Sequence, residues 1–143
     1  MPIQKLCTGA EAVRVNEFAG SLTLEAEGME PQGPDQFVHV KCGHSRLLRR
    51  PISICDWGKN RLRIVFEVRG EGTEWLARRK AGDTLDVLGP LGCGFPVERE
   101  ARCPLVGGGI GVPPMLGCAQ YAPGRCTAIL GFRSGDRVML EEQ

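Results

Sequence analysis

The first two thirds of the chain alternate apolar and polar residues in short runs. Alternation is clear at residues 11–15 (EAVRV) and 21–28 (SLTLEAEG). Residues 61–70 (RLRIVFEVRG) form a longer run, in which Leu62, Ile64, Phe66 and Val68 lie on one face. Residues 36–42 (QFVHVKC) are rich in β-branched and aromatic side chains. A period of two is typical of half-buried strands, and glycine- and proline-rich turns separate these runs. The pattern predicts an antiparallel barrel of about six strands.

One helix interrupts the strands, over residues 70–83 (GEGTEWLARRKAGD). Thr73 is predicted to be its N-cap, with Glu74 in the first turn and Gly82 as the C-terminal stop. Three cations are predicted to lie in the last turn: Arg78, Arg79 and Lys80. The run 84–92 (TLDVLGPLG) then returns as a strand that ends in a glycine-rich loop.

The pattern changes near Arg99. An apolar run, a glycine loop, a helix opened by prolines and a second apolar run follow, and residues 135–143 are predicted to begin another helix. This order is the start of a parallel α/β domain. We therefore expect an antiparallel barrel domain over residues 1–99 and a partial nucleotide-binding α/β domain over residues 100–143. Two parallel strands do not make a stable open sheet alone, so we expect the second domain to be cut short or completed by something else.

Composition narrows the function classes. A net charge of +1 gives no global field for gathering nucleic acid or an anionic membrane surface. The chain has seven cysteines, an odd number with no Cys-x-x-Cys pair, which favours reduced, buried thiols in a cytoplasmic protein. We see no secretory signal at the N-terminus and no run long enough to span a membrane.

Three motifs carry candidate chemistry. In RRPIS, Arg50 could bind a pyrophosphate through two hydrogen bonds and Ser53 could reach a ring heteroatom; the alternative is a surface Arg-Arg pair before an edge strand. In GEGT, Gly72 and Thr73 form either a phosphate seat or only a helix cap. In GGGIGVPP, residues 107–114, glycines before a helix favour an anion, and the alternative is a plain βα turn.

The order of these motifs resembles the ferredoxin-reductase superfamily, in which a flavin-binding barrel precedes a pyridine-nucleotide domain. The segments QFVHV, LLRRPISI, GEGT, GDTLDVLGPLGCGF, LVGGGIGVPPM and AILGFRS are most similar to the electron-transfer subunits of bacterial NAD-dependent dihydroorotate dehydrogenase. The resemblance runs from about Val13 to the end of the chain, which is shorter than the family.

The resemblance implies FAD and NAD(H) as cofactors and assigns residues to both. FAD would contact Arg50, Pro51, Ile52 and Ser53, then Val65, Phe66 and Glu67 on a second strand, and Gly72 and Thr73 at the helix start. The nicotinamide dinucleotide would contact Gly107, Gly108, Gly109, Ile110, Gly111 and Pro113, in a site that we expect to be incomplete. Gly92 and Gly94 match a loop near the flavin.

Several positions depart from the family pattern. Glu67 stands where the family commonly has arginine, and an acid near a pyrophosphate is repulsive unless it points away or binds a ribose hydroxyl. Asp35 stands at a usual glycine position, and Cys93, which replaces asparagine, is expected to be a small buried thiol. The family also carries a 2Fe–2S cluster on closely spaced cysteines, whose ligands we expect to be absent here.

The function implied is electron transfer between NAD(H) and the FMN-containing catalytic subunit of dihydroorotate dehydrogenase in pyrimidine biosynthesis, within a heterotetramer. The chain would be an oxidoreductase subunit that does not itself act on dihydroorotate. Hydride transfer is carried out by the cofactors, so no catalytic acid–base pair and no metal ligand is nominated. The alternatives are a subunit of another flavin reductase, of the sulfide dehydrogenase or ferredoxin:NADP oxidoreductase type, and a truncated binding module without activity.

Overall fold

The computed structural model describes residues 1–45, 47–98, 100, 102–124 and 126–143. Six antiparallel strands close into a barrel in the order β1-β2-β5-β4-β3-β6, as the alternating pattern predicts. Their bounds are β1 Ile3–Arg14, β2 Ala19–Glu25, β3 Phe37–Val40, β4 Arg50–Gly58, β5 Arg61–Glu67 and β6 Thr84–Leu91. The predicted fold class, a six-stranded antiparallel barrel followed by the first part of a parallel α/β domain, is confirmed.

The barrel interior is filled by the inward-facing members of the alternating runs. Leu24, Ile54, Leu62, Ile64 and Val87 are at most 1% exposed and belong to one continuous core. Closure leaves each of the six strands with two neighbours, so β4, which carries the RRPIS motif, is not an edge strand. The arginines of this motif therefore need an explanation other than the protection of a sheet edge.

Helix α1 (Glu71–Ala77) follows β5 and precedes β6 in the sequence, and it begins earlier than predicted. Gly70, in an extended conformation, is the N-cap, so the prediction of Thr73 as N-cap is wrong. The Thr73 hydroxyl instead reaches back and accepts the backbone N–H groups of Arg69 (2.8 Å) and Gly70 (3.2 Å). The helix ends at Ala77, so the three cations predicted for its last turn follow the last helical residue.

The second unit consists of β7 (Cys103–Gly108), helix α2 (Val112–Tyr121) and β8 (Cys126–Gly131), with a 3₁₀ turn at Gly109–Gly111. Strands β7 and β8 are parallel, as a β-α-β unit requires. One sheet face packs on α2, and the other leaves Val106 and Ile129 exposed. The predicted boundary falls at Arg99, which lies outside the described residues, and the division into two domains stays a prediction.

Helix α2 rests directly on the barrel at a glycine. A Cβ atom on Gly117 would lie 2.8 Å from the carbonyl oxygen of Cys55 and 3.1 Å from the Trp57 ring. Only a residue without a side chain allows the helix and β4 to approach this closely. The glycine loop that precedes α2 is therefore held at a fixed position beside the barrel.

The helix predicted over residues 135–143 is wrong. The segment forms a 3₁₀ turn at Gly135–Arg137, and Leu140 adopts a positive φ of 58°. Tertiary contacts override the local helical tendency: Met139 is buried against the outer side of the barrel, and the Arg137 guanidinium lies 3.8 Å from the centre of the Phe18 ring. This tail is thereby fastened to the barrel.

Candidate functional site

A shallow shelf on β4 forms the centre of the candidate site. Alternation along the strand places Ile52 and Ile54 in the core, and it leaves Pro51 exposed and Ser53 half-buried on the outer face. Beside them lies a cavity of about 450 Å³, and β3 contributes Phe37 to its wall. A cleft that sets the apolar side chains of Phe37 and Pro51 beside the Ser53 hydroxyl suits a planar ring system that carries polar edge atoms.

The opposite wall of this cavity is the loop after β6, and its shape requires glycine. Gly92 and Gly94 have positive φ values of 85° and 70°. A Cβ atom on Gly94 would lie 2.5 Å from the carbonyl oxygen of Pro34, and one on Gly92 would lie 3.0 Å from the Phe37 ring. The Gln36 side-chain amide donates to the Gly92 carbonyl oxygen at 2.7 Å, which fixes the loop against the shelf.

Asp35 and Cys93, two of the positions that depart from the family pattern, line this cavity. Asp35 has a positive φ of 64°, a conformation that favours glycine, and burial raises the pKa of its carboxyl group. Cys93 is exposed and lines the cavity, so the expectation of a small buried thiol is wrong. Cys93 lies in a loop between two glycines with positive φ values and not on a strand that faces the core.

The two adjacent arginines have different surroundings. Arg49 is committed to the barrel: its Nη2 atom donates to Asp86 Oδ2 at 2.8 Å and its Nη1 atom donates to the Asp86 carbonyl oxygen at 3.1 Å. The contact given for the Arg50 guanidinium is a long one, 3.5 Å from Nη1 to the carbonyl oxygen of Leu48. Within the described part of the chain, no carboxylate forms an ion pair with Arg50.

Arg50 lies across the beginning of helix α1. A Cβ atom on Gly72 would stand 2.9 Å from Arg50 Nε and 3.3 Å from its Cγ atom. The structure thus brings together the RRPIS and GEGT motifs, which are about 20 residues apart in the sequence. A cation free of an acidic partner, next to the first backbone N–H groups of a helix, is an arrangement that attracts phosphate oxygens.

On β5, the second strand predicted to contact flavin, two of the three predicted residues are buried. Val65 and Phe66 are buried, at 2% and 3% exposed. The Glu67 carboxylate accepts a hydrogen bond from Arg137 Nη1 at 2.9 Å and another from Arg69 Nε. Glu67 is thus neutralised by two guanidinium groups, which removes the repulsion expected of an acid near a pyrophosphate.

The glycine loop before α2 faces the same strand. Gly107 is packed so tightly that a Cβ atom would lie 3.0 Å from Met115 Cγ, and Gly109 has a positive φ of 53°. Pro113 occupies the first turn of the helix, where the missing N–H group costs no hydrogen bond. A cavity of about 130 Å³ lies between the loop, at Gly109 and Ile110, and the Glu67 side of the barrel.

Predicted residues therefore meet at three places: the β4 shelf, the Arg50–Gly72 contact, and the Gly109–Glu67 cavity. Val65 and Phe66 are not brought to any of them, because their side chains are buried in hydrophobic clusters of the barrel. Sequence reasoning missed Arg69, Arg133 and Arg137, which line the Gly109–Glu67 cavity. No motif marks them, because they come from two segments that meet only in the fold. All contacts of the predicted residues with FAD or NAD(H) stay predictions.

Metal ligands and membrane spans were also considered. In residues 1–45, 47–98, 100, 102–124 and 126–143, no group of three or more histidine, cysteine, aspartate or glutamate side chains is arranged to hold a metal ion. No helix in the same ranges is long and apolar enough to cross a membrane.

Among solved structures, the NADH-dependent reduced ferredoxin-NADP oxidoreductase, described for flavin-based electron bifurcation, superimposes with a TM-score of 0.85 and 29% identity, over 96% of this chain and 52% of that chain. The ferredoxin-NADP+ reductase of Plasmodium falciparum superimposes with a TM-score of 0.81 over 99% of this chain and 62% of that one. At 13% identity, the second comparison shows the fold alone.

No protein-family model matches the chain. The electron transfer subunit of dihydroorotate dehydrogenase B (NAD(+)) from Bacillus mycoides (strain KBAB4) is 51% identical over 120 residues, which cover 77% of this chain and 46% of that protein. The same subunit from Bacillus cereus (strain G9842) is 52% identical over 121 residues. The chain spans about half the length of these relatives. Over the segment that aligns, the chain belongs to the family of dihydroorotate dehydrogenase B electron transfer subunits.

Proposed function

We propose that the chain binds FAD and passes electrons between NAD(H) and a partner subunit that oxidises dihydroorotate. FAD would lie with its ring system on the β4 shelf and its pyrophosphate between Arg50 and the start of α1. The names of the relatives and the fold of the solved reductases support this proposal. We infer that the 143 residues supply the flavin site and the first part of the nicotinamide site.

The observation that carries the proposal is the contrast between Arg49 and Arg50. Arg49 is neutralised by Asp86. Arg50 is kept without a carboxylate partner among the described residues, and its side chain is seated on a glycine at a helix start. A solvent-accessible guanidinium without an acidic partner among the described residues is available to bind an anion, and FAD carries one in its pyrophosphate.

The residues present fit the flavin. When bound, FAD accepts a hydride from NADH and releases electrons singly, and the protein holds and orients it. Arg50 and the α1 amides would hold the pyrophosphate, and the Ser53 hydroxyl would donate to or accept from the ring edge. The walls formed by Gly92 and Gly94 would exclude water from one side of the ring. Gly107–Gly111 and Pro113 would bind the nicotinamide dinucleotide at the N-terminus of α2.

The partner would be the catalytic subunit of dihydroorotate dehydrogenase, and the assembly a heterotetramer, as the resemblance implies. The family's 2Fe–2S cluster is not assigned to this chain, because the spacing of its seven cysteines does not match the closely spaced ligands that the resemblance implies. No step of the proposal depends on that cluster.

Substitution of Arg50 tests the proposed flavin site. Arg50→Ala is expected to weaken FAD binding by about 1.5–3 kcal/mol, or roughly 10- to 150-fold in Kd, the range for a charge-assisted contact. Binding is measured by titration of flavin fluorescence with the flavin-free protein. Riboflavin, which lacks the pyrophosphate, is the matched ligand control and should bind both proteins equally. Equal FAD affinity in the two proteins would remove Arg50 from the site.

A reductase of another type is the second candidate, because the solved structure at 29% identity is an NADH-dependent reduced ferredoxin-NADP oxidoreductase. The two functions share the flavin site and differ in the electron acceptor. With FAD bound, reduction by NADH followed by transfer to a dihydroorotate dehydrogenase catalytic subunit supports the first function. Transfer to ferredoxin but not to that subunit supports the second. A chain that binds neither FAD nor NADH would be a binding module without redox activity.

A further inference from the structure

Three of the seven cysteines, scattered in the sequence, face one another in the second unit. Cys103 opens β7 and Cys126 opens β8, and the two are direct partners in the parallel register. Partners on neighbouring strands project toward the same face of a sheet. The third, Cys118, lies on α2 and is fully buried.

Hydrogen bonds show that this face is the one covered by α2. The Cys126 thiol donates to the carbonyl oxygen of Ala122, the C-cap residue of α2, at 3.5 Å. The Ala122 N–H group in turn donates to the Cys118 carbonyl oxygen at 3.2 Å. Cys118 and Cys126 are therefore gathered at the last turn of the helix, with Cys103 alongside on the neighbouring strand.

The directions in which the pKa values of Cys118 and Cys126 are shifted agree with this proximity. Burial, followed by the charges of Asp35, Cys126 and Cys103, raises the pKa of Cys118 to about 11. Burial likewise raises the pKa of Cys126, and the charge of Cys103 and a hydrogen bond with its side chain add to the effect.

The backbone spacing suits a covalent bond between the two strands. Neighbouring strands lie about 4.8 Å apart, and the Cα atoms of a disulfide are separated by roughly 4.4–6.8 Å. Cys103 and Cys126 are both half-buried, so a small oxidant can reach them, whereas Cys118 is 0% exposed.

We propose that Cys103 and Cys126 form a reversible oxidation site, in which a peroxide converts the two thiols into a disulfide that joins β7 to β8. Cys103 supplies the attacking thiolate, because the raised pKa of Cys126 disfavours a thiolate there. The thiolate attacks a peroxide oxygen, the O–O bond breaks, and a sulfenic acid forms while the departing hydroxide takes up the proton released by Cys103 and becomes one water. The second thiol attacks the sulfenic sulfur and expels its hydroxyl group as a second water. The two cysteines lose two electrons and two protons, and hydrogen peroxide is reduced to two waters.

The site lies at the ends of β7 and β8 remote from the glycine loop, since Cys103 and Gly108 are opposite ends of β7. The disulfide would fasten the only strand pair of this unit that the structure describes. Both cysteines are half-buried, so a thiol reductant can reach the bond. The bond should therefore reverse with a mild thiol reductant.

The test uses the full chain with Cys93→Ser, because the exposed Cys93 thiol would be oxidised by itself. The protein is treated with hydrogen peroxide, denatured, blocked with N-ethylmaleimide and digested with trypsin. Cleavage after arginine gives peptides 103–125 and 126–133. We expect these two peptides to be joined, with a mass two hydrogens lower than their sum, and to separate on treatment with dithiothreitol.

Peptide 103–125 also contains Cys118, so two further variants identify the bond. The link should persist in Cys118→Ser and be lost in Cys103→Ser, with far-UV circular dichroism showing that each variant is folded. Oxidation of Cys93 in the unmodified chain shows that the peroxide has acted. Recovery of both peptides with every cysteine alkylated, under conditions that oxidise Cys93, would overturn the proposal. A link that persists in Cys103→Ser would overturn it as well.

Discussion

Gly72→Ala should separate flavin affinity from fold stability. The added Cβ atom would stand 2.9 Å from Arg50 Nε, against about 3.5 Å for an unstrained contact, so the guanidinium must move by roughly 0.6 Å. Such a shift misaligns the contact with the FAD pyrophosphate and should cost about 1 kcal/mol, or roughly fivefold in Kd. The fold should not suffer, because the clashing atoms belong to a flexible side chain and alanine favours a helix over glycine by up to about 1 kcal/mol.

The assay is a double-mutant cycle of FAD binding, with thermal unfolding recorded for each protein. In the Arg50→Ala background, Gly72→Ala should have no further effect on FAD affinity, because the displaced guanidinium is gone. Gly58→Ala is the matched control, since a Cβ atom there meets nothing within 4 Å. The reasoning is refuted if Gly72→Ala lowers FAD affinity equally with and without Arg50. It is also refuted if Gly72→Ala lowers the unfolding temperature of the FAD-free protein, because the loss of affinity would then come from a weakened fold.

Three other substitutions test neighbouring parts of the account. Arg137→Ala removes the partly buried ion pair with Glu67 and the contact with an aromatic ring, and should lower the free energy of unfolding in urea by about 1–2 kcal/mol. Gly117→Ala places a Cβ atom 2.8 Å from the Cys55 carbonyl oxygen, and the forced separation of α2 from β4 should cost about 1–3 kcal/mol in the same assay. Gly109→Val puts a β-branched residue at a positive φ and should abolish reduction of bound FAD by NADH while FAD affinity is unchanged. Unaltered unfolding curves for the first two, or unaltered NADH reduction for the third, would count against the contacts named.

The barrel could be predicted because its strands are half-buried. A strand with one face in the core needs an apolar residue at every second position, so Leu62, Ile64 and Phe66 reveal β5 in the sequence. The start of α1 was less predictable. Thr73 is a good N-cap residue, but its hydroxyl reaches back to two preceding N–H groups, and a glycine, which has no side-chain signal, takes the cap position.

Contacts between distant segments were beyond sequence reasoning. Residues 135–143 read as a helix, yet Met139 and Arg137 gain more by packing on the barrel than by forming one. The charge of Glu67 was recognised as unusual, but its neutralisation by Arg137, 70 residues away, appears only in the fold. The seven cysteines show no spacing pattern, because strand register rather than sequence distance brings Cys103 beside Cys126.

Titration of the flavin-free chain with FAD tests the central claim most directly. Flavin fluorescence and the visible absorbance spectrum are followed as FAD is added to a known concentration of protein. A half-buried cation at the start of α1 and an open shelf on β4 predict saturation at one FAD per chain, with a shifted flavin spectrum. A protein that stays colourless after gel filtration, with the fluorescence of FAD unchanged throughout the titration, would contradict the account.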